Sequence, residues 1–286
     1  MNNYKVLICG MGVMGKSIAL DFSFSNIEVY IHNWRNINKK FENMRNKVDY
    51  LYKNEKILLE EKNSFHKNIN IMSKDFKHLD DIDLIVQCLP EDKEKKIKFY
   101  NSIRNRIPPK TIIATNTSSL NINELANSIS NYDQFIGMHF FNPAYRMNLV
   151  EIVPSKKSSA YTKKIVKKML NDIEKEYVFV KDSPGFIVNR LLITMINEAA
   201  YLLYNNVASK ENIDKAMKLG AHHPMGPLEL SDYIGIDIIY NILNNFYDKF
   251  GEKYKPCPIF KDLVKKNYLG KKTKTGRLSC SLCDYL

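Results

Sequence analysis

The chain has 286 residues, 44% hydrophobic and 26% charged, with 43 Lys and Arg set against 31 Asp and Glu. This length favours two domains of unequal size, each with a core of its own, and the composition excludes a disordered or fibrous chain. No run approaches the roughly 18 apolar residues of a membrane span, and Met1-Asn2-Asn3 leads straight into an apolar segment, so a soluble, cytoplasmic protein is expected.

The net charge of +12 suits nucleic acid, an anionic membrane or a polyanionic small molecule. Its distribution narrows the choice. Lys156-Lys157, Lys163-Lys164 and Lys167-Lys168 fall at helical spacing beside Ile165, Val166, Met169 and Leu170, the pattern of a solvated helix face. No nucleic-acid module or aromatic-basic interleaving accompanies them, so neither a nucleic acid nor a membrane is expected as partner.

In chain order, Lys5 to Cys9 reads as a strand, Gly10-Met-Gly12-Val-Met-Gly15 as a tight turn, the stretch to about Ser25 as a helix, and Ile27 to Ile31 as a second strand. Met14, Ile18 and Phe22 recur every four residues and should pack on the sheet, with Lys16 and Asp21 facing outward. Such a βαβ unit carries parallel strands and a right-handed crossover. Residues 36–67 are charged and periodic, reading as one long helix or a helical pair protruding after the second strand. Further strands are expected at Leu84 to Cys88, Thr111 to Ala114, Phe135 to His139 and Val178 to Val180, separated by helices.

At Ser183-Pro184-Gly185 the pattern changes. Phe186 to Tyr204 is apolar nearly all round and predicts a buried helix, with Asn189, Asn197 and Glu198 as polar islands. Helical segments continue at Asn212 to Leu219 and Leu228 to Phe246. The expected fold class is therefore α/β: a Rossmann-type doubly wound parallel sheet over residues 1–182, with the helical excursion at 36–67, then an all-helical domain over 183–286. Cys9 and Cys88 sit in apolar runs where a thiol packs as a small hydrophobe. Cys280-Ser-Leu-Cys283 has C-x-x-C spacing but no second ligand pair at zinc-finger distance, so no metal is expected.

Gly10, Gly12 and Gly15 follow a strand and open a helix, the context in which glycines let the backbone approach a pyrophosphate at a helix N-terminus. The acidic ribose ligand of such sites should stand about 20 residues on, where Asn33 occupies the slot with Arg35 beside it. An amide lacks the charge that repels a 2′-phosphate and an arginine attracts one, so NAD and NADP both stay open as cofactor.

Five segments carry a family resemblance: Asn116-Thr-Ser-Ser-Leu120, Gly137-Met-His-Phe-Phe-Asn-Pro143, Leu149-Val-Glu151, Ser183-Pro-Gly-Phe-Ile-Val-Asn-Arg190 and Pro224-Met-Gly-Pro227. In this order and spacing they resemble the short-chain L-3-hydroxyacyl-CoA dehydrogenases. The resemblance implies reversible oxidation of an L-3-hydroxyacyl-CoA to the 3-oxoacyl-CoA, an acyl-CoA substrate, and homodimerisation through the helical domain. It places the catalytic pair on His139 and Glu151, puts Ser118 and Asn189 at the substrate's 3-oxygen and thioester region, and sets Glu91, Lys96 and Asn142 near the cofactor.

The chemistry agrees with that placement. Oxidising a secondary alcohol needs a base for the hydroxyl proton, and imidazole titrates near working pH. Lys53 and Lys56, on the helical excursion, are the cations assigned to the CoA phosphates. Taken singly, Ser118 could close a turn, Glu151 could be a surface carboxylate and Asn189 could cap a helix. Two departures stand out: Ala144-Tyr-Arg146, which predicts a bulkier, more polar floor to the acyl pocket, and a C-terminus reading Lys274-Thr-Gly-Arg-Leu-Ser-Cys280. A dehydrogenase of a free 3-hydroxy acid or sugar acid, and a silent binding protein of the same fold, are the alternatives these residues leave open.

Overall fold

The structure is a computed structural model that describes residues 4–73, 75–76 and 79–273. Lys274 to Cys280 and Cys283 lie outside the described residues. Two compact units are divided between Ser183 and Pro184.

The first unit is built in chain order from β1 (Lys5–Cys9), α1 (Val13–Phe24), β2 (Glu28–His32), α2 (Ile37–Lys53), α3 (Leu59–Asn68), β3 (Ile69–Ile71), β4 (Leu84–Gln87), α4 (Lys93–Ile103), β5 (Ile112–Thr115), α5 (Ile122–Ala126), β6 (Phe135–Phe140), β7 (Leu149–Pro154), α6 (Ala160–Asp172) and β8 (Glu176–Phe179). The strands form one eight-stranded sheet in the order β3-β2-β1-β4-β5-β6-β7-β8. The chain thus winds outward from β1 in one direction, returns to β4 and winds in the other, as a doubly wound fold requires. Every neighbouring pair is parallel except β6 with β7.

That exception corrects the all-parallel expectation, and β7 was not expected at all. Its apolar run Leu149–Val153 is broken by Glu151, a residue that ordinarily stays out of buried strands. The three-residue edge strand β3 was missed as well, being too short to show an alternation. The 36–67 excursion is the helical pair α2 and α3. It does not simply protrude, because Met44, Val48, Leu51 and Phe65 join the core that also holds Ile18 and Phe22 of α1.

Asp21 overturns its expected outward orientation. It is buried, and its Oδ1 lies 2.8 Å from Nζ of the equally buried Lys175. α1 is covered on nearly every side, so its four-residue stripe does not mark one buried face against one solvated face. α6 behaves as read, with Val166, Met169 and Leu170 inward.

The second unit contains α7 (Val188–Tyr204), α8 (Lys210–Gly220), α9 (Pro227–Ile234), α10 (Ile236–Phe250) and α11 (Pro258–Lys265). Its core joins Ile193, Ile196 and Leu203 of α7 to Ile239, Leu243 and Phe246 of α10 and Phe260 of α11. Buried Asn197 is satisfied at both ends, donating to the Lys255 carbonyl at 2.9 Å and accepting from the Cys257 amide at 2.9 Å. α7 is not the fully buried helix its composition suggests. Leu191 is 69% exposed and Tyr204 51%, so apolar side chains of the helix face outward in the single chain. Among the described residues no helix is long and apolar enough to cross a membrane.

Candidate active site

The glycine turn between β1 and α1 uses its three glycines differently. Gly10 adopts φ +101°, and its amide donates to the His32 carbonyl at 2.9 Å, tying the turn to the end of β2. Gly15 has no room for a side chain, since a Cβ there would stand 1.8 Å from the Gly10 carbonyl oxygen. Gly12 is the opposite case: it is exposed, begins α1 with no side-chain cap, and a Cβ added to it would meet nothing within 4 Å. Open space thus stands before the uncapped amides of a twelve-residue helix, with no acidic residue in the first turn. This arrangement fits a dinucleotide pyrophosphate.

Asn33 lies beside the turn at the end of β2. Its Oδ1 accepts from the Met11 amide at 3.1 Å, and its Nδ2 donates to the Arg35 carbonyl. Arg35 itself is exposed.

A second cluster joins the ends of β4 and β5. Lys96 belongs to the inward stripe of α4 with Phe99, Tyr100 and Ile103, and its ammonium is fully buried. It donates to Gln87 Oε1 at 3.1 Å, the Asn116 carbonyl at 3.2 Å and Thr115 Oγ1 at 3.4 Å, with Glu91 Oε2 at 3.9 Å. Burial holds this lysine below its ordinary range, opposed by the charge of Glu91. The other oxygen of Glu91 accepts from the amides of Ser118 and Ser119, at 2.9 and 3.0 Å, and from the Thr117 hydroxyl. Ser118 is thereby set in a loop braced by Glu91. Asn116 extends the brace, its Oδ1 accepting from the Phe140 amide at 3.0 Å at the end of β6.

His139 and Glu151 are register partners across the antiparallel pair β6 and β7. Such partners project to the same face. Nδ1 of His139 lies 2.6 Å from Glu151 Oε2, with the histidine side chain 9% exposed and that of Glu151 fully buried. A carboxylate can only accept, so Nδ1 carries the hydrogen and proton uptake falls to Nε2. The ring of Phe141 stands 4.7 Å from the imidazole. The one strand pair that departs from the parallel pattern therefore carries the buried acid–imidazole pair.

Asn142 follows on the exposed turn after β6, before a cis peptide bond to Pro143. The adjoining Ala144–Arg146 segment packs against α1. Tyr145 packs edge-on to Phe24 at 5.9 Å, the Ala144 amide donates to Ser17 Oγ at 2.7 Å, and Lys175 donates to the Ala144 and Met147 carbonyls. The bulky tyrosine is absorbed against α1, and Arg146 is exposed.

The remaining expected residues are carried by other elements. Lys53 ends α2 and Lys56 follows it, both exposed, with the Lys56 ammonium 5.7 Å from the Tyr50 ring. Asn189 is in the first turn of α7, in the second unit. It does not cap that helix, whose N-cap is Ile187 with no side-chain hydrogen bond. Gln87, Thr115, Asn116 and Lys40 are not among the site residues expected from the sequence, yet Lys96, sharing an inward stripe with Phe99, Tyr100 and Ile103, is a signal that a buried cation needs acceptors nearby.

Residues 5–183 match the family model described as 3-hydroxyacyl-CoA dehydrogenase, NAD binding domain, and residues 185–279 match 3-hydroxyacyl-CoA dehydrogenase, C-terminal domain. A 3-hydroxybutyryl-CoA dehydrogenase of Clostridioides difficile is 39% identical over 275 residues, spanning 95% of this chain and 98% of the relative. The human mitochondrial hydroxyacyl-coenzyme A dehydrogenase is 41% identical over 196 residues, 68% of this chain and 62% of its own length. Among solved structures, an (S)-3-hydroxybutyryl-CoA dehydrogenase from Ralstonia eutropha superposes with a TM-score of 0.89 at 36% identity, covering 96% of this chain and 98% of that one.

Proposed function

Since the chain belongs to the 3-hydroxyacyl-CoA dehydrogenase family, with an NAD-binding N-terminal domain, we propose that it interconverts a short L-3-hydroxyacyl-CoA and its 3-oxoacyl-CoA, with His139 as general base. The observation that carries this reading is the 2.6 Å contact between buried His139 and buried Glu151. In the oxidative direction Nε2 of His139 takes the proton of the substrate's 3-hydroxyl, and the Glu151 carboxylate stabilises the imidazolium and fixes the ring. In the reductive direction the same nitrogen returns the proton. Bound NAD supplies hydride acceptor and donor chemistry. The glycine turn and the start of α1 hold its pyrophosphate, with Asn33, Arg35, Glu91, Lys96 and Asn142 as the further contacts of that site.

Ser118, on the loop braced by Glu91, and Asn189 are assigned to the substrate's 3-oxygen and thioester region. Lys53 and Lys56 are assigned to the CoA phosphates. The short acyl chain rests on relatives named for 3-hydroxybutyryl-CoA. A homodimer formed through the second unit is supported by exposed apolar side chains there, with Leu191 and Leu219 both near 70% exposed. Bacterial relatives of this kind support a cytoplasmic location. The reading is tested with His139→Gln, assayed with acetoacetyl-CoA and NADH. Turnover should fall at least ~10²-fold while the dissociation constant for NADH stays near wild type, because only the proton transfer is removed. Near-normal turnover rejects the assignment.

A further inference from the structure

Strand β5 stops pairing with β6 before β6 ends. Their parallel register runs from Ile113 with Phe135 to Thr115 with Gly137, whereas β6 continues through Met138 and His139 to Phe140. Beyond Thr115 the chain of β5 is held elsewhere: the amides of Ser118 and Ser119 and the hydroxyl of Thr117 all donate to Glu91, which lies past the end of β4. The β5 register therefore does not reach His139 or Phe140, although β7 pairs with both on the other flank.

Asn116 spans that gap with a side chain. Its Oδ1 accepts from the Phe140 amide at 3.0 Å, and because an N–H needs an acceptor, it is the oxygen of the carboxamide that must face it. Phe140 is 2% exposed, and its amide belongs to the same peptide unit as the His139 carbonyl. A buried amide without an acceptor is costly, so the Asn116 oxygen sets the orientation of the peptide that leaves His139. The backbone of Asn116 is anchored independently. Its amide donates to the Gln87 carbonyl at 2.9 Å, and its carbonyl accepts from the buried Lys96 ammonium at 3.2 Å. Neither anchor uses the Asn116 side chain, nor do the contacts that bind residues 117–119 to Glu91. Loss of the carboxamide thus releases the Phe140 amide and leaves the loop that carries Ser118 in place.

An imidazole held at one atom can still swing. Glu151 fixes Nδ1 of His139, and the place of Nε2 then depends on how the backbone presents the ring. Proton transfer requires Nε2 within hydrogen-bond reach of the substrate oxygen, and a displacement of about 1 Å is enough to slow a reaction by ~10²-fold. We propose that Asn116 is a positioning residue for the base: through the Phe140 amide it holds the peptide next to His139 and, together with Glu151, aims Nε2. This role rests on the reading of His139 as general base and adds to it a second hold, made through the backbone.

Asn116→Leu keeps the size of the side chain and removes the acceptor, whereas Asn116→Asp keeps an acceptor at the same place. Asn116→Ala takes the place of Asn116→Leu should that variant not fold. The full chain is assayed for reduction of acetoacetyl-CoA by NADH, with NADH dissociation constants from calorimetry, and each substitution is made both in wild type and in His139→Gln. In wild type, Asn116→Leu should lower kcat ~10- to 100-fold, with KM for acetoacetyl-CoA and the NADH dissociation constant each within about threefold, and Asn116→Asp should recover most of the loss. In His139→Gln, where there is no base to aim, the same substitution should cost less than about threefold.

An Asn116→Leu variant within about threefold of wild-type kcat overturns the proposal, as does a loss that falls on NADH affinity instead of kcat, or an Asn116→Asp variant no better than Asn116→Leu. Equal fold losses in the two backgrounds overturn it too, because a residue that only supports the fold, or that meets substrate or cofactor directly, acts whether or not the base is present. If His139→Gln alone retains near-normal turnover, the base assignment fails first and takes this role with it, an outcome distinct from the others.

Discussion

Replacing Glu151 with Gln keeps the size and shape of the side chain and removes one buried charge, at the atom 2.6 Å from His139 Nδ1. When the imidazole takes the substrate proton it becomes a cation with that carboxylate as its partner. Two estimates bracket the loss. A carboxylate and an imidazolium centred about 4 Å apart interact by roughly 4 kcal/mol at an effective dielectric of about 20, and no solvent discount applies because neither group is appreciably exposed. The difference between a charged and a neutral hydrogen bond is smaller, about 1–1.5 kcal/mol. At ~1.4 kcal/mol per decade, kcat should therefore fall by about one to three orders of magnitude. The assay is steady-state reduction of acetoacetyl-CoA followed by NADH consumption, with NADH affinity and the thermal midpoint measured alongside. Both should stay close to wild type, which separates a lost charge from a lost fold. Glu151→Asp, which restores the charge but is one methylene short, should recover part of kcat. A Gln variant within about threefold of wild-type kcat would show that the charge does not act on the chemical step.

The glycine turn gives a paired test. Gly15→Ala drives a Cβ into the Gly10 carbonyl and should lower both the thermal midpoint and dinucleotide affinity, whereas Gly12→Ala, with open space around it, should keep the midpoint and lose affinity alone; equal effects of the two would refute this division of roles. For CoA, Lys53→Glu with Lys56→Glu should raise KM for acetoacetyl-CoA and flatten its salt dependence, since exposed charges are screened beyond about 10 Å at moderate ionic strength; an unchanged salt slope would remove both lysines from the site. Burial pushes the Asp21 carboxyl up to about 7 even with Lys175 beside it. Its folded-state proton affinity exceeds that of the unfolded chain, so its contribution to stability is present at low pH and is lost as pH rises from about 4 through about 7. Asp21→Asn should remove that pH-dependent difference, to be seen in denaturant melts of both proteins across the window. Because His32, held down by burial, changes in the opposite sense, the difference between variant and wild type is the quantity to read, and parallel profiles would refute the assignment.

The sequence made some parts of this molecule legible and hid others for identifiable reasons. β1, the glycine turn and α1 were readable because a continuous apolar run, a glycine spacing and a helical repeat follow each other within 20 residues. The orientation of Asp21 was not, because a carboxylate on a helix is ordinarily solvated and its partner Lys175 is 154 positions away. α7 was read as wholly buried because its composition is apolar on every face; the pattern cannot tell a surface covered by this chain from one that stays exposed in the single chain, as Leu191 does.

His139 and Glu151 illustrate both limits at once. Each could be singled out by the motif around it, yet neither motif contains the antiparallel β6–β7 pairing that brings them into register. Glu151 broke the apolar run that would have announced β7, so the residue most needed for the site concealed the strand that positions it. The same logic applies to Lys96: a cation in an inward helical stripe, it is the centre of a network joining Gln87 of β4, Thr115 of β5 and Asn116 just beyond it. Buried polar groups cost free energy unless they are partnered. A charged residue at a position that periodicity assigns to the core therefore marks where long-range partners must converge, and in this chain two such residues, Lys96 and Glu151, sit in the clusters assigned to the cofactor and to proton transfer.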